Sequence, residues 1–339
     1  MFKIIFLKNE RNDATDYYTH IIKEALEKSG EVVEITSDIK NIAKSDKVLT
    51  ISLKAFLFVW LRNPKQFIIH WFQGVTPEEA RLLFSGSIIQ RNLRWIYLSF
   101  FEKFVLLFSK FNFFVSNSML EHYKRKYNYV KKNYMIMPCY NLKLNKQAFY
   151  NDKYKTPNFL YAGSLASWQC IEEVLSIFRE INKIYPNANL YFYTAEKEKA
   201  KDLIEEFKIK NVWIDYVSYE ELNNKIHEFK YGFLIRDDIL VNNVATPTKM
   251  NSYLANGVIP IYSNIIHDFF EKINGEYLIP VSGNSDAVNK IVDFESREVD
   301  FKNILTEYEK YFMDYYCDEK YLSEMVEKFK IYDVVKNEN

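Results

Sequence analysis

The sequence is short of glycine and of cysteine. Only eight glycines occur in 339 residues, where about 7% would be usual, so each one is informative as a marker of a turn or a close backbone approach. The three cysteines (Cys139, Cys170 and Cys317) are odd in number and widely spaced. They form neither a disulfide framework nor a CxxC metal site, which indicates a reducing compartment.

Neither sign of charge is in excess, since 45 Lys and Arg balance 45 Asp and Glu. Dedicated nucleic-acid binders usually carry a basic surplus, so we expect no nucleic-acid partner. The first residues have the pattern of a buried strand, not of a signal peptide. No apolar run reaches the roughly 20 residues of a membrane span. We therefore expect a cytoplasmic protein.

Several common catalytic motifs are also absent. The sequence contains no GxxxxGK[ST] phosphate loop, no GxGxxG after the first strand, no HExxH and no GxSxG. These absences argue against P-loop nucleotide hydrolysis, a typical dinucleotide site, zinc-protease chemistry and serine-hydrolase chemistry. No cluster of metal-ligating residues is visible, so we expect no metal.

Strand-like and helix-like segments alternate along the whole chain. The strands predicted for the first half are Lys3–Leu7, Val32–Ile35, Lys47–Ile51, Phe67–Phe72, Asn112–Ser116 and Tyr134–Met137. Those predicted for the second half are Asn158–Ala162, Asn189–Thr194, Asn211–Ile214, Tyr231–Arg236 and Val258–Ser263. Such alternation predicts an α/β protein with parallel sheets covered on both faces. We expect two doubly wound, Rossmann-like domains facing a cleft, with ligands beyond the carboxyl ends of the strands.

The domain boundaries follow from where this alternation stops. We predict a first domain at residues 1–140, a linker at 141–157 where periodicity is lost, a second domain at 158–300 and a helical segment at 301–339. Polar residues mark three helix starts. Ser118 with Glu121 and Ser218 with Glu221 have the pattern of capping boxes, and Thr246 before Pro247 has the pattern of an N-cap.

The most informative region follows the predicted strand Tyr231–Arg236. Arg236 ends that strand, and Lys249 lies in the first turn of the next predicted helix. A cation is unfavourable at a helix N-terminus unless an anion binds there. Arg236, Lys249 and the helix N–H groups together predict a diphosphate site. In the alternative, Arg236 pairs with Asp237 or Asp238, and Lys249 is solvated.

The segment from Arg236 to Pro260 carries a family resemblance. P-T-K-M-x-x-Y-L-A-x-G-x-I-P after a strand ending in R-D-D resembles the donor-site signature of GT-B glycosyltransferases, in particular retaining family-four-like enzymes of bacterial polysaccharide synthesis. Weaker agreement comes from four stretches: YAGSL at 161–165, IIHWFQG at 68–74, FVSNSM at 114–119 and MPCYN at 137–141. The resemblance covers nearly the whole chain.

The resemblance implies a GT-B fold and a hexosyltransferase-type activity. Such an enzyme moves a sugar from a nucleotide-diphosphate sugar to a saccharide acceptor, here a lipid-linked one, with retention, in capsule or lipopolysaccharide synthesis. It implies no cofactor and no metal. It also implies an acceptor-binding first domain, a donor-binding second domain, and a segment 301–339 that crosses back to the first domain.

The resemblance also assigns roles to residues. Arg236 and Lys249 would contact the diphosphate and stabilise the leaving nucleoside diphosphate as its charge develops. The donor-binding residues would be Gly163, Ser164, Tyr216, Val217, Thr248, Ser252 and Tyr253. The acceptor-binding residues would be His70, Gln73 and Gly74. For His70, a hydrogen-bonded position in the core is the alternative.

Two departures from the family pattern leave rival functions open. The family usually has Glu at the position of Ser252, where it holds the ribose hydroxyls, and basic residues where Ser164 and Gln169 stand. A degenerate, non-catalytic GT-B subunit that serves as a binding partner is therefore one alternative. A GT-B sugar-nucleotide epimerase is another, although it needs an acid/base group in the cleft that the sequence does not identify.

Residues 91–110 mix basic and aromatic side chains at helical spacing. This pattern is typical of a helix that lies on a membrane surface near a lipid-linked acceptor, which would place the protein on the inner face of the cell membrane. A long core helix is the alternative interpretation.

Overall fold

The computed structural model describes residues 1–8, 10, 11 and 13–335, which form two compact units. Unit 1 comprises residues 1–141, 244–246 and the chain from 317 onwards. Unit 2 comprises residues 142–243 and 247–316. Each unit contains one six-stranded sheet in which all neighbouring strands are parallel.

The sheet of unit 1 is formed by the first 136 residues of the chain. Its strands are β1 (Phe2–Ile5), β2 (Val33–Thr36), β3 (Lys47–Thr50), β4 (Phe67–Phe72), β5 (Phe111–Phe114) and β6 (Tyr134–Ile136), in the order β2-β1-β3-β4-β5-β6. The helices between them are α1 (Asp13–Lys28), α2 (Leu53–Arg62), α3 (Thr76–Leu83), α4 (Ile88–Phe108) and α5 (Asn117–Tyr127).

Aromatic side chains fill much of the core of unit 1. Trp71 on β4 stacks on Tyr18 of α1, with ring centroids 3.8 Å apart. Phe72 packs against Phe114 and against Tyr123 of α5. These strands are buried on both faces, as expected for a parallel sheet covered by helices.

The sheet of unit 2 is formed by the second half of the chain. Its strands are β7 (Asn158–Ala162), β8 (Asn189–Tyr193), β9 (Val212–Asp215), β10 (Tyr231–Leu234), β11 (Ile259–Ser263) and β12 (Ile279–Val281), in the order β12-β11-β10-β7-β8-β9. Its helices are α6 (Ile171–Ile184), α7 (Lys197–Phe207), α8 (Tyr219–Lys225), α9 (Leu240–Asn243), α10 (Thr248–Ala255), α11 (His267–Lys272), α12 (Asn284–Glu295) and α13 (Phe301–Asp314).

The last helix, α14 (Asp318–Ile331), belongs to unit 1. It packs on α1, where Tyr17 donates a 2.8 Å hydrogen bond to Asp318. Phe329 of the same helix meets the rings of Phe111 and Phe113 on β5. The segment predicted as helical at 301–339 is therefore divided in the described residues, with α13 in unit 2 and α14 in unit 1.

Of the predicted linker at 141–157, residue 141 belongs to unit 1, and residues 142–157 pack within unit 2. The Asn145 N–H donates to the Ala255 carbonyl at 2.8 Å, and the Tyr154 hydroxyl donates to the Gly257 carbonyl at 2.7 Å. Lys153 donates to the Asn256 carbonyl. This segment therefore covers the carboxyl end of α10.

The two predicted doubly wound sheets are confirmed, and so is the capping box of Ser218 and Glu221, which begins α8. Two predicted caps are wrong. Ser116, not Ser118, caps α5, because its hydroxyl accepts the Met119 N–H at 2.9 Å. Thr246 does not cap α10; instead its hydroxyl accepts the Cys139 N–H at 3.0 Å.

Candidate functional site

Strand order reverses in unit 2 between β7 and β10. The chain proceeds outward from β7 to β9 on one side and from β10 to β12 on the other. The two central strands pair in parallel through Tyr231 with Phe159 and Gly232 with Leu160. Ligands of open α/β sheets bind beyond the strand ends at such a reversal. Gly163 directly follows β7, and Arg236 is the second residue after β10.

Arg236 is almost fully buried just beyond β10. Its backbone N–H donates to the Ser263 hydroxyl at 2.8 Å, and its side-chain Nη1 donates to the Ile235 carbonyl at 2.9 Å. Burial lowers the pKa of its guanidinium. Asp237 and Asp238 are both exposed, and within residues 13–335 no carboxylate forms an ion pair with Arg236. The predicted alternative pairing with these aspartates is therefore wrong.

Lys249, in the first turn of α10, turns toward β7. Its Nζ donates to Gln169 Oε1 at 3.0 Å and lies 4.8 Å from the centroid of the Tyr161 ring. Burial and the nearby Arg236 charge lower the pKa of this amine well below its usual value. Lys249 also has no ion pair among the described residues. A buried cation, Arg236, and a half-buried one, Lys249, thus lie near each other, and no carboxylate among the described residues pairs with either, which is costly unless an anion binds.

Gly163 leaves room for the Lys249 amine beside the end of β7. The residue has φ +156°, and a Cβ there would lie 2.8 Å from the Lys249 Nζ. The backbone after β7 and the lysine head therefore approach each other only because no side chain intervenes.

A cavity of about 380 Å³ lies beside Lys249 at the ends of β7 and β8. It brings together all of the predicted donor-binding residues and Lys249. They are Gly163, Ser164, Tyr216, Val217, Thr248, Lys249, Ser252 and Tyr253. Arg236 lines a separate cavity of about 190 Å³ with Asp237, Asp238 and Ser263.

Of the four α10 residues that line this cavity, Ser252 and Tyr253 are both held by hydrogen bonds within unit 2. The Ser252 hydroxyl donates to the Thr248 carbonyl one turn earlier at 3.2 Å. Tyr253 is buried, packs its ring on Gly232 and donates to the Phe233 carbonyl at 3.0 Å. Tyr253 therefore fixes α10 to β10 while it also lines the cavity.

Sequence reasoning missed several residues of this cavity. Glu196, just beyond β8, accepts the Leu165 N–H at 2.6 Å through Oε2 and adds a carboxylate to the wall. Tyr193 and Tyr219 add aromatic surface. The signal was available for Tyr193 and Glu196, because β8 is the neighbour of β7 and its end lies at the same edge of the sheet.

In unit 1, His70 lies in the middle of β4. Its ring is buried between Phe56 and Phe72, and its Nδ1 is hydrogen-bonded to the Thr50 hydroxyl at 2.7 Å. Burial lowers the pKa of His70 to about 3. This geometry matches the core alternative that the sequence left open, with no free ring face for an acceptor.

Gln73 and Gly74 follow β4 at its carboxyl end. Gln73 is exposed, and the Gly74 carbonyl accepts a hydrogen bond from Tyr123 at 3.3 Å. A Cβ at Gly74 would collide with the Glu79 carboxylate. Burial raises the pKa of Glu79, which lines a cavity of about 330 Å³ with Thr76 and Arg94. The proximity of Glu79 to this strand end was not apparent from the sequence.

Among the described residues, no group of three or more His, Cys, Asp or Glu side chains is placed to hold a metal ion. In the same part of the chain, no helix is both long and apolar enough to cross a membrane.

Comparison with known proteins finds likeness in structure only. No family model matches the sequence, and no curated protein sequence matches it. A sucrose-phosphate synthase from Thermosynechococcus elongatus matches with a TM-score of 0.68 at 14% identity, over 99% of both chains. The lipopolysaccharide outer core galactosyltransferase WaaB matches at 0.61 and 11% identity, over 97% of this chain and 99% of its own. The chain has the GT-B glycosyltransferase fold.

A third GT-B structure is TarM of Staphylococcus aureus, solved with fondaparinux, α-GlcNAc-glycerol and UDP. It matches with a TM-score of 0.60 at 11% identity. The match covers 84% of this chain but only 55% of TarM, so the chain corresponds to little more than half of that protein. These neighbours confirm the GT-B fold predicted from the segment Arg236–Pro260.

Proposed function

We propose that the protein is a glycosyltransferase that uses a nucleotide-diphosphate sugar. The observation that carries the proposal is the pair of cations at the strand reversal of unit 2, buried Arg236 and half-buried Lys249, neither of which has a carboxylate partner among the described residues. A diphosphate supplies the missing negative charge, and the N-terminus of α10 offers N–H groups to it. TarM, which shares the fold, has been solved with UDP.

The cavity beside Lys249 suits the nucleoside. Tyr216 and Tyr219 offer aromatic surface to a base, and Gly163 leaves room for the phosphates. Ser252 has no carboxylate for the ribose, and its hydroxyl is bonded to its own helix. Glu196 lines the same cavity just beyond β8. Its Oε2 accepts the Leu165 N–H, and we assign the ribose hydroxyls to its Oε1, which has a long ion pair of 3.9 Å with Lys199.

In the reaction, the bond between the anomeric carbon and the terminal phosphate oxygen breaks. A bond forms from that carbon to an acceptor oxygen, and the proton of the acceptor hydroxyl is released to bulk water. The nucleoside diphosphate leaves with an additional negative charge, which Arg236 and Lys249 stabilise in a site shielded from water. Transfer of a hexose with retention is the finer form of this proposal.

The acceptor side of the proposal is a saccharide, lipid-linked, in bacterial surface-glycan synthesis. Gln73 and Gly74 stand at the end of β4, where a ligand of unit 1 would approach the sheet edge. No metal ion or cofactor is required, because the two cations supply the charge that would otherwise come from a metal. A lipid-linked acceptor would bring the enzyme to the inner face of a membrane.

One observation favours a second candidate, a non-catalytic GT-B subunit. Gln169, not a basic residue, contacts Lys249, and Ser252 stands where a carboxylate is usual in the family. A binding partner without transferase activity would tolerate both changes. It would bind nucleotide weakly or not at all.

Calorimetric titration with UDP, GDP, ADP and CMP tests the two candidates. We expect one diphosphate to bind selectively, and Lys249→Met and Arg236→Met each to weaken binding at least tenfold, because each removes a charge-assisted contact. Glu196→Gln should weaken binding of the same nucleotide by a smaller factor. The matched control is Lys201→Met, an exposed lysine of α7 outside the cavity.

The outcomes separate the candidates. Folded wild type that binds none of these nucleotides at millimolar concentration contradicts the transferase and leaves the partner subunit. Selective binding that is unchanged in Lys249→Met and Arg236→Met would remove the proposed site. Donor-sugar hydrolysis by the wild type, lost in Lys249→Met, would establish chemistry as well as binding.

A further inference from the structure

Helix α4 presents an unpartnered apolar stripe to solvent. Its members stand at helical spacing along one side, each between 56% and 69% exposed: Ile89, Leu93, Ile96, Phe100 and Leu107. The opposite side of the helix buries Glu102, Val105 and Leu106. Leu82 and Leu83 of α3, which packs on α4, are exposed as well. We call these exposed residues of the two helices the α3–α4 surface.

The exposed charges of the segment that contains this surface are all positive. Residues 53–110 contain eight Lys or Arg but only three acids, Glu78, Glu79 and Glu102, in a chain whose total charge is zero. None of the three acids is exposed. Glu102 is fully buried, and Glu78 is paired with Lys126 at 2.6 Å. The positive residues, by contrast, face solvent almost without exception. They are Lys54, Arg62, Lys65, Arg81, Arg94, Lys103 and Lys110, with Arg91 half-buried.

The α3–α4 surface is held rigid by contacts on its inner side. Glu102 accepts hydrogen bonds from Tyr123 at 3.2 Å and Tyr127 at 2.7 Å, both on α5. Trp95 donates to Glu78 at 3.3 Å, which joins α4 to α3. A capping box of Ser87 and Gln90 fixes the start of α4. The exposed stripe is therefore preformed, and a partner would not have to order it on binding.

From these observations we propose that the α3–α4 surface docks the protein on an anionic lipid bilayer. The apolar stripe favours a hydrocarbon environment, and the exposed basic residues of the same two helices, Arg81, Arg94 and Lys103, favour negative charge at a slightly shallower depth. A bilayer that contains acidic lipids offers both in layers, and long basic side chains reach its phosphates while their stems stay apolar. Protein interfaces, by contrast, are depleted of lysine at their centre.

In this mode of contact the protein lies on the membrane surface and does not cross the bilayer. No helix among the described residues is long and apolar enough to cross it. The exposed stripe of α4 follows one side of a 21-residue helix, so the whole helix would rest in the plane of the lipid headgroups. This inference rests on the proposed function only for its purpose, since docking itself needs neither nucleotide nor sugar transfer.

Co-sedimentation with lipid vesicles tests the inference. The vesicles are pure phosphatidylcholine or phosphatidylcholine with 30% phosphatidylglycerol, a composition that we choose to supply roughly −30 to −50 mV of surface potential. We expect the wild type to sediment only with the anionic vesicles, and to be released at high salt because screening weakens the charge term. Arg94→Glu/Lys103→Glu and Ile96→Asp/Phe100→Asp should each lower partitioning at least tenfold.

Matched controls are exposed positions in unit 2, Lys201→Glu and Ile184→Asp, which should partition like the wild type. All of the changed side chains are exposed, so thermal unfolding should be little altered. Failure of the wild type to bind anionic vesicles, or equal binding by the α3–α4 variants, overturns the inference. So does a change from dimer to monomer in those variants by light scattering, which would make the surface an interface between copies of the chain.

Nucleotide titration of the same variants separates this inference from the proposed function. The α3–α4 variants should bind the nucleoside diphosphate as the wild type does, because the cavity beside Lys249 lies in unit 2. Vesicle binding without nucleotide binding would leave docking intact and remove the transferase. Nucleotide binding without vesicle binding would remove the docking inference and leave the transferase proposal intact.

Discussion

At the scale of single residues, burial decides which polar groups meet ligands and which serve the core. His70 is buried and Lys249 is half-buried, and desolvation lowers the pKa of both bases. The His70 ring is hydrogen-bonded to Thr50 and packed against aromatic side chains, so it requires no ligand. Lys249 has only an amide oxygen and a ring face beside an open cavity, so its charge remains uncompensated. The difference lies in the partners, and sequence position alone does not reveal them.

His70 makes a prediction about acid stability. Burial lowers its pKa to about 3, against roughly 6.5 in an unfolded chain. Above pH 6.5 both states are neutral, so its contribution to stability is fully present. As the pH falls below 6.5, the unfolded chain takes up a proton that the folded protein refuses until about pH 3, so the free energy of unfolding decreases by up to about 1.4 kcal/mol per pH unit.

Replacement of His70 by Gln should therefore flatten this loss between pH 6.5 and 4. Urea denaturation across pH 4–8 measures it, with His20→Gln, an exposed histidine of α1, as the control. Equal acid slopes in His70→Gln and the wild type would mean that the ring takes up its proton in the folded state as readily as in the unfolded one.

At the scale of elements, the period of the apolar residues predicted most strands of both sheets, and the motif around Arg236 and Lys249 predicted the place of the cavity. Helix α2 was missed because residues 48–61 form an almost continuous apolar run, which does not distinguish strand from helix. The cap of α5 was misplaced because Ser116 and Ser118 are both suitable residues, and only the backbone decides between them. The contact of Gln169 with Lys249 joins residues 80 positions apart, so no local sequence pattern could predict it.

The end of α10 depends on Gly257, which yields a stability prediction. It has φ +67°, and a Cβ there would lie 2.9 Å from both a Phe149 ring carbon and the Tyr154 hydroxyl oxygen. Gly257→Ala should lower the free energy of unfolding by about 1–3 kcal/mol, through the left-handed backbone and the crowding together. Gly283→Ala is the control, since a Cβ there meets nothing within 4 Å and its φ of 163° is extended backbone. Chemical denaturation that ranks the two variants equally would contradict this account.

At the scale of the whole molecule, each unit has its own sheet and core, but only unit 1 is completed by the last helix. α14 contributes Phe329, which is fully buried against β5, and its following residues place the Val334 carbonyl 2.7 Å from the Lys47 amine. The residues 244–246 also belong to this unit, and Val244 accepts a hydrogen bond from Ser116. Unit 1 is therefore built from three separate parts of the chain.

Phe329→Ala should lower the stability of unit 1 by about 3–5 kcal/mol, because it removes a buried aromatic ring from the contact with Phe111 and Phe113. Ile331→Ala, at an exposed position of the same helix, should cost little. Urea denaturation compares the two variants, and nucleoside diphosphate binding should persist in Phe329→Ala under native conditions. If Phe329→Ala instead loses nucleotide binding under native conditions, the binding site of unit 2 depends on the packing of the last helix in unit 1.

Because α14 lies near the end of the sequence, unit 1 is completed late in translation. The six strands of the first sheet have all left the ribosome once residue 136 is free of it, yet the helix that covers α1 and β5 is translated roughly 200 residues later. At ordinary elongation rates this interval lasts on the order of 10–40 s. During that time the nascent chain carries an uncovered aromatic surface at Phe111 and Phe113, while the second sheet can already form. A chaperone that shields this surface would act in that interval, and its need would end with the arrival of Phe329.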